Sequence, residues 1–142
     1  MKFLVIRKAD AETEAFTMPS KQLIDDMQSY NESMVKAGIM RSGDGLMPSA
    51  RGARVSFSKG KPTVIDGPFA EAKELIAGFS ILEVGSLQEA IDWVKKWPQS
   101  DGHGNVQIEI RQLITDPEDL GFTPEQVERV ELLRQKASQQ QQ

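Results

Sequence analysis

Asp66-Gly67-Pro68-Phe69, followed at once by Ala70-Glu71-Ala72-Lys73-Glu74 and then by an apolar run over residues 75–84, is the stretch on which the fold turns. Gly67 precedes a proline, whose ring disfavours the α conformation at the residue before it. The chain must therefore break here between two extended segments. An aspartate in a turn ordinarily accepts from the N–H two residues on. That position is Pro68, which has none, so the Asp66 carboxylate is left for Phe69, Ala70 or a ligand. Gly67 is expected to tolerate substitution poorly, through a positive φ that a β-carbon would strain.

On the N-terminal side of this turn, residues 53–58 and 62–65 flank Lys59-Gly60-Lys61, a hairpin in which Gly60 supplies the positive φ of a tight turn. Pro62 opens the returning strand, where a missing donor costs least at an edge. Residues 39–52, rich in Gly, Ser and Pro, read as an extended or looped approach. Before them, Leu23, Ile24, Met27, Tyr30, Met34 and Val35 recur at helical spacing over 19–36, a stripe read as core packing, and Gly38 stops the helix. The chain begins with a strand over 2–8 and a polar loop over 10–17. On the C-terminal side, 75–84 is a strand, and Ser86 with Glu89 forms a capping box. Leu87, Ala90, Ile91, Val94 and Trp97 continue at helical spacing until Pro98. Residues 105–114 alternate as a last strand.

The block DGPFAEAKELIAGFSILEV followed by SLQEAIDWVKKWP resembles the DGPF group of the YCII-related proteins, a bacterial family of small α+β domains. Leu46, Pro48, Arg54, Glu71, Lys73, Gly78, Phe79, Glu89, Ala90, Trp97 and Pro98 fit its pattern, over residues 1–114. The resemblance implies a ferredoxin-like βαββαβ fold with an additional hairpin, an antiparallel sheet with both helices on one face, and dimerisation through the sheet into an α+β barrel. It implies no settled activity. A His-Asp pair proposed for one branch of the family has no counterpart here, because His103 in a glycine-rich loop is the sole histidine.

Composition bounds the function. The chain has 142 residues, with 1–114 expected as the domain and 115–142 as a helical extension with a Gln-rich end. There is no cysteine, hence no disulfide framework or thiol nucleophile, which suits a cytoplasmic protein. MKFLVIRKAD is too short for a signal or membrane segment. Seventeen basic against 21 acidic residues, with no long basic run, leave a nucleic-acid role without its electrostatic footprint. No metal cluster, triad, P-loop or GxGxxG is present, and no cofactor is implied.

Candidate catalytic groups are Asp66 and Asp44, the latter between Gly43 and Gly45. Arg54, Glu71, Lys73, Arg7 and Arg111 are candidate ligand-binding groups. As ordinary structure, Asp66 and Asp44 would be turn and loop formers, and the charges would be a solvated rim or cross-strand ion pairs. With Leu4, Ile6, Ser80, Leu82 and Val84 turned to the helices, the open face would carry Phe3, Val5, Phe79 and Ile81, and these four form the expected homodimer interface. Two functions remain: a protein that binds or acts on a small organic ligand in a cleft near the DGPF turn, or a non-catalytic accessory protein binding a protein partner. For the second, the family resemblance adds a link to sigma-factor regions. At the C-terminus, Thr123, Pro124 and Gln126 cap a third helix carrying Val127, Val130 and Leu133. Residues 138–142 are expected to be disordered.

Overall fold

The computed structural model describes residues 1–140, and the backbone falls into two units, Met1–Gln112 and Leu113–Gln142. In the first, strands β1 (Lys2–Lys8), β2 (Met40–Gly45), β5 (Ile76–Glu83) and β6 (Ile108–Gln112) form one antiparallel sheet in the order β2-β5-β1-β6. Helix α2 (Lys21–Lys36) and helix α3 (Leu87–Val94) are the crossovers, and a short helix α1 (Ala11–Glu14) precedes α2. Strands β3 (Ala53–Ser58) and β4 (Lys61–Asp66) form a separate two-stranded sheet inserted between β2 and β5. This is the ferredoxin-like α+β arrangement with an additional hairpin.

Local chemistry accounts for most element ends. Ser86 Oγ accepts from Glu89 N at 3.1 Å while the Glu89 carboxylate accepts from Gly85 N at 2.8 Å, so α3 starts where its capping residues place it. Ser20 Oγ caps α2 in the same way. Gly38 has φ 75° and Gly60 φ 78°, the left-handed positions a helix stop and a tight hairpin turn require. Helix α1 was not foreseen in the polar stretch; Asp10 and Thr13 cap it reciprocally. The sequence of strand β2, Met-Arg-Ser-Gly-Asp-Gly, has no β-branched or aromatic residue and predicts only an extended or looped approach; pairing with β5 makes it a strand.

The faces of β1 are the reverse of the expectation. Phe3 is 1% and Val5 2% exposed, and they pack with Leu82, Val84, Tyr30, Met34, Ile39 and Ala90 in the core under the helices. The register pairs Phe3 with Leu82 and Val5 with Ile110, whereas Leu4 and Ile6 pair with Ile81 and Phe79. Phe3 and Val5 therefore cannot belong to an interface on the open face. The apolar groups there are Leu4, Ile6, Phe79 and Ile81. Both parities of β1 are apolar, so alternation carried no sign. Among the charged groups of these strands, Glu83 pairs with Arg41 at 2.8 Å and Arg111 with Glu109 at 3.5 Å, while Arg7 turns inward.

Gly67 is not among the residues with positive φ. Its constraint is steric: a β-carbon there would overlap the carbonyl of Ser49, and Gly67 N donates to Gly52 O at 3.0 Å. The DGPF turn is thus laid directly on the backbone of residues 49–52. Ser49 fastens it further, its Oγ accepting from Phe69 N at 2.9 Å and donating to the Glu14 carboxylate at 2.5 Å.

The second unit holds helix α4 (Pro124–Gln140), capped by Thr123 Oγ1 and Gln126 Oε1. Helical structure continues through Ser138–Gln140, beyond the expected end; residues 141 and 142 lie outside the described part of the chain. No helix among the described residues is long and apolar enough to cross a membrane.

Candidate functional site

The space between α2 and the sheet holds a cavity of about 500 Å³. Its origin can be read from the register. On the helix-facing side of β2 and β5 stand Gly43 opposite Ser80 and Gly45 opposite Gly78, positions with little or no side chain. Leu23, Ile24 and Met27 of α2 therefore face a floor of backbone, and this part of the apolar stripe lines a cleft instead of closing a core. A β-carbon added at Gly45 would meet nothing within 4 Å. Tyr30, Met34, Met40 and Trp97 complete the apolar wall, and Gln28, Asn31 and Ser80 contribute amide and hydroxyl groups.

The polar end of the cleft is built around Arg7, 7% exposed. Arg7 Nε and Nη2 donate to the two carboxylate oxygens of Asp101 at 3.1 and 2.8 Å, and Nη1 donates to Lys8 O at 2.7 Å and to Asp10 Oδ2 at 3.1 Å. A guanidinium has five N–H groups, so one on Nη2 is left over after these four bonds. Asp101 also accepts from Trp97 Nε1 at 2.9 Å, and the Trp97 ring meets Tyr30 edge-on with centroids 5.6 Å apart. Burial favours the neutral carboxyl of Asp101, but the hydrogen bonds from Arg7 and Trp97 outweigh it and hold the pKa below the usual carboxylate range. Arg7 is shifted the other way: burial lowers it, and its bonds to Asp101 and Asp10 more than compensate. Tyr30, buried with its hydroxyl donating to Trp93 O at 2.8 Å, is pushed up to about 12 by desolvation. One guanidinium between two carboxylates leaves this end net negative.

An adjoining cavity of about 380 Å³ shares Arg7, Thr13 and Asp101 and extends to His103. His103 Nε2 lies 3.1 and 3.2 Å from the Glu12 carboxylate oxygens. That hydrogen bond raises the exposed imidazole above its ordinary pKa.

The sequence candidates separate in space. Arg7 lines the cleft. Asp44 also lines it, but alternation along β2 groups its side chain with Phe79 on the open face. Asp66 ends the exposed hairpin, Arg54 lies 3.9 Å over the Phe69 ring, and Glu71 and Lys73 sit exposed at a single turn of 3₁₀ helix; none of these lines the cleft. This cavity therefore lies on the helix-covered side of the sheet. Asp101, which fixes Arg7, was missed because its partner is 94 residues away and the sequence around it, Asp-Gly-His-Gly, signals only a loop.

Fold and cleft together define a small ferredoxin-like α+β protein with a mostly apolar, side-chain-poor cleft under its first long helix. The chain belongs to the YCII-related family, whose sequence pattern matches residues 1–112. An uncharacterised protein of Rhizobium meliloti (strain 1021) is 33% identical over 75 residues, a match covering 53% of this chain and 60% of that protein's length. A distant structural likeness, with TM-score 0.45 and 16% identity over 83% of this chain and 98% of the other, is to 5-chloro-2-hydroxyhydroquinone dehydrochlorinase (TftG) from Burkholderia phenoliruptrix in complex with 2,5-dihydroxybenzoquinone.

Proposed function

We propose that this protein binds a small, uncharged, ring-containing organic molecule in the cleft between α2 and the sheet. The observation that carries the reading is the cavity of about 500 Å³ floored by Gly43, Gly45 and Gly78, within the size range of small-molecule sites. Its wall of Met27, Met34, Met40, Tyr30 and Trp97 suits a flat ring through thioether and aromatic contacts. Asn31, Ser80 and the remaining N–H of Arg7 supply directional hydrogen bonds to a hydroxyl or carbonyl. The excess of carboxylate around Arg7 disfavours an anion, so carboxylated ligands are the wrong class. The DGPF turn supports placing the chain in the DGPF group of its family, and serves to root the hairpin. Leu4, Ile6, Phe79 and Ile81 support a homodimer formed through the open sheet face, since such a cluster gains about 25 cal/mol per Å² when removed from water.

The test is a thermal-shift and calorimetric panel of neutral phenols beside the corresponding benzoates, against the intact chain and Gly45→Leu, which fills the cleft from its floor. Stabilisation by phenols alone, lost in Gly45→Leu, is expected. Equal response to benzoates, or undiminished binding in the filled variant, would overturn the reading.

A further inference from the structure

Residues 10–19 are attached to the rest of the chain almost entirely by side chains. Ala9 N donates to Leu75 O, and beyond it, among the described residues, every backbone hydrogen bond made by residues 10–19 stays within the segment. None of these residues is buried, and Phe16 and Met18 are 49 and 66% exposed. Three carboxylates do the attaching. Asp10 Oδ2 accepts from Arg7 Nη1 at 3.1 Å, Glu12 lies 3.1 Å from His103 Nε2, and Glu14 accepts from Ser49 N at 3.1 Å and from Ser49 Oγ at 2.5 Å. A segment with no buried apolar anchor and few backbone bonds to its surroundings lies at the low end of local stability. Helix α1, four residues long, does not persist alone once those contacts open.

The segment is also a wall. Thr13 and Pro19 line the cleft beneath α2, and with Phe16 and Met18 they line the adjoining cavity, which Glu12 and His103 line as well. The Glu12–His103 contact is therefore made between two parts of one cavity wall. The rest of the cleft wall stands on β1, β2, β5 and α2, or on the Trp97–Asp101–Arg7 chain of hydrogen bonds, so the segment is the part least tied down. We propose that residues 10–19 are a lid over the cleft, latched by Glu12 on His103 and by Glu14 on Ser49, and that ligand enters and leaves when these latches release. The proposal rests on the ligand reading for what the lid admits; the opening of the lid itself does not. Glu14 is the stronger latch, a half-buried carboxylate accepting from an N–H and an O–H at once, whereas the His103 and Glu12 side chains are 79 and 56% exposed. Because Ser49 Oγ also accepts from Phe69 N at 2.9 Å, the DGPF turn is the fixed support against which the lid closes.

Amide hydrogen exchange read by NMR tests the lid without any ligand. The amides of Glu14, Ala15, Phe16 and Thr17, each hydrogen-bonded within the segment, should exchange by local opening, well ahead of those of β1. Glu14→Ala should speed them about tenfold, the effect of losing hydrogen bonds to one charged group, and Glu12→Ala by less than about fivefold, with β1 unchanged in both. Glu83→Ala, which breaks an exposed pair outside the segment, should leave them as they are. The gate is read by stopped-flow mixing with 2-naphthol, a fluorescent neutral phenol, followed by its own emission. Glu14→Ala should raise the association and dissociation rates together, by about tenfold each, and leave Kd nearly unchanged, since a latch outside the cleft alters access and not affinity. Lid amides that exchange as slowly as those of β1 overturn the proposal, as does a Glu14→Ala variant that speeds both sets alike. Unaltered naphthol rates in Glu14→Ala, with Kd intact, overturn the gate and leave the ligand reading standing. An intact chain that binds no naphthol overturns both.

Discussion

Replacing Asp101 with alanine removes both oxygens that hold Arg7 Nε and Nη2 and the acceptor of Trp97 Nε1. Arg7 and Asp101 have side chains only 9 and 13% exposed, so water replaces the lost bonds poorly. Breaking one side of a buried ion pair costs about 3–5 kcal/mol, because the surviving charge is left in low dielectric. Against a typical domain stability of roughly 5–15 kcal/mol, that loss is a large fraction. Urea titration at pH 7, followed by far-UV circular dichroism, measures it directly. Removing both charges, in Arg7→Met/Asp101→Leu, should recover about half of the loss, because no unpaired ion remains. The pH dependence has a definite sign. Asp101 is lowered in the folded state, so its contribution is fully present above its unfolded value of about 3.9 and disappears as pH falls through the lower folded value. Asp101→Ala should therefore flatten the acid limb of the stability curve. A loss below about 1 kcal/mol, with an unchanged acid limb, would show that Arg7 is hydrated through the cleft and refute the pairing argument.

Gly67→Ala should destabilise by on the order of 2 kcal/mol or more, since the new methyl overlaps the Ser49 carbonyl and the backbone of the turn must move, whereas Gly45→Ala should leave the melting temperature nearly unchanged. Equal melting of the two alanine variants would remove the steric account of the DGPF turn. His103 should titrate above about 6.5, with the Glu12 link present below that value and lost as pH rises through the raised one. NMR titration of the His103 ring in Glu12→Gln should return it toward 6.5, and no change would show that the pair does not form in solution. Leu132 and Leu133 of α4 are 49 and 65% exposed, and a helix in a protein draws most of its stability from packing its apolar face. Deleting residues 122–142 should lower stability or shift the dimer equilibrium, and an unaltered melt and sedimentation profile would mark the helix as an undocked appendage.

Elements with local signals were legible in the sequence. The Ser86–Glu89 box, the Lys59-Gly60 turn and the Gly38 stop each act within four residues, and each element appears where its signal stands. Features set by distant partners were not legible. Arg7, on the same face of β1 as the buried Phe3 and Val5, meets a partner 94 residues away in Asp101, and β2 exists because β5 offers it hydrogen bonds. The cleft arises because glycines on two strands, 33 residues apart at Gly45 and Gly78, fall opposite one another beneath α2. Gly43 and Gly45 looked like loop residues around a candidate aspartate, and their function as a floor emerges only from pairing.

Amide chemical-shift mapping of the ¹⁵N-labelled chain during titration with a neutral phenol tests the proposed binding beneath α2. Entry of the ligand there should give saturable shifts at Gly43, Gly45, Gly78, Ser80 and Asn31, with Trp97 Nε1–H moving in step. Shifts confined to Gly67, Phe69 and the hairpin, or saturable shifts at none of the cleft residues, would contradict it.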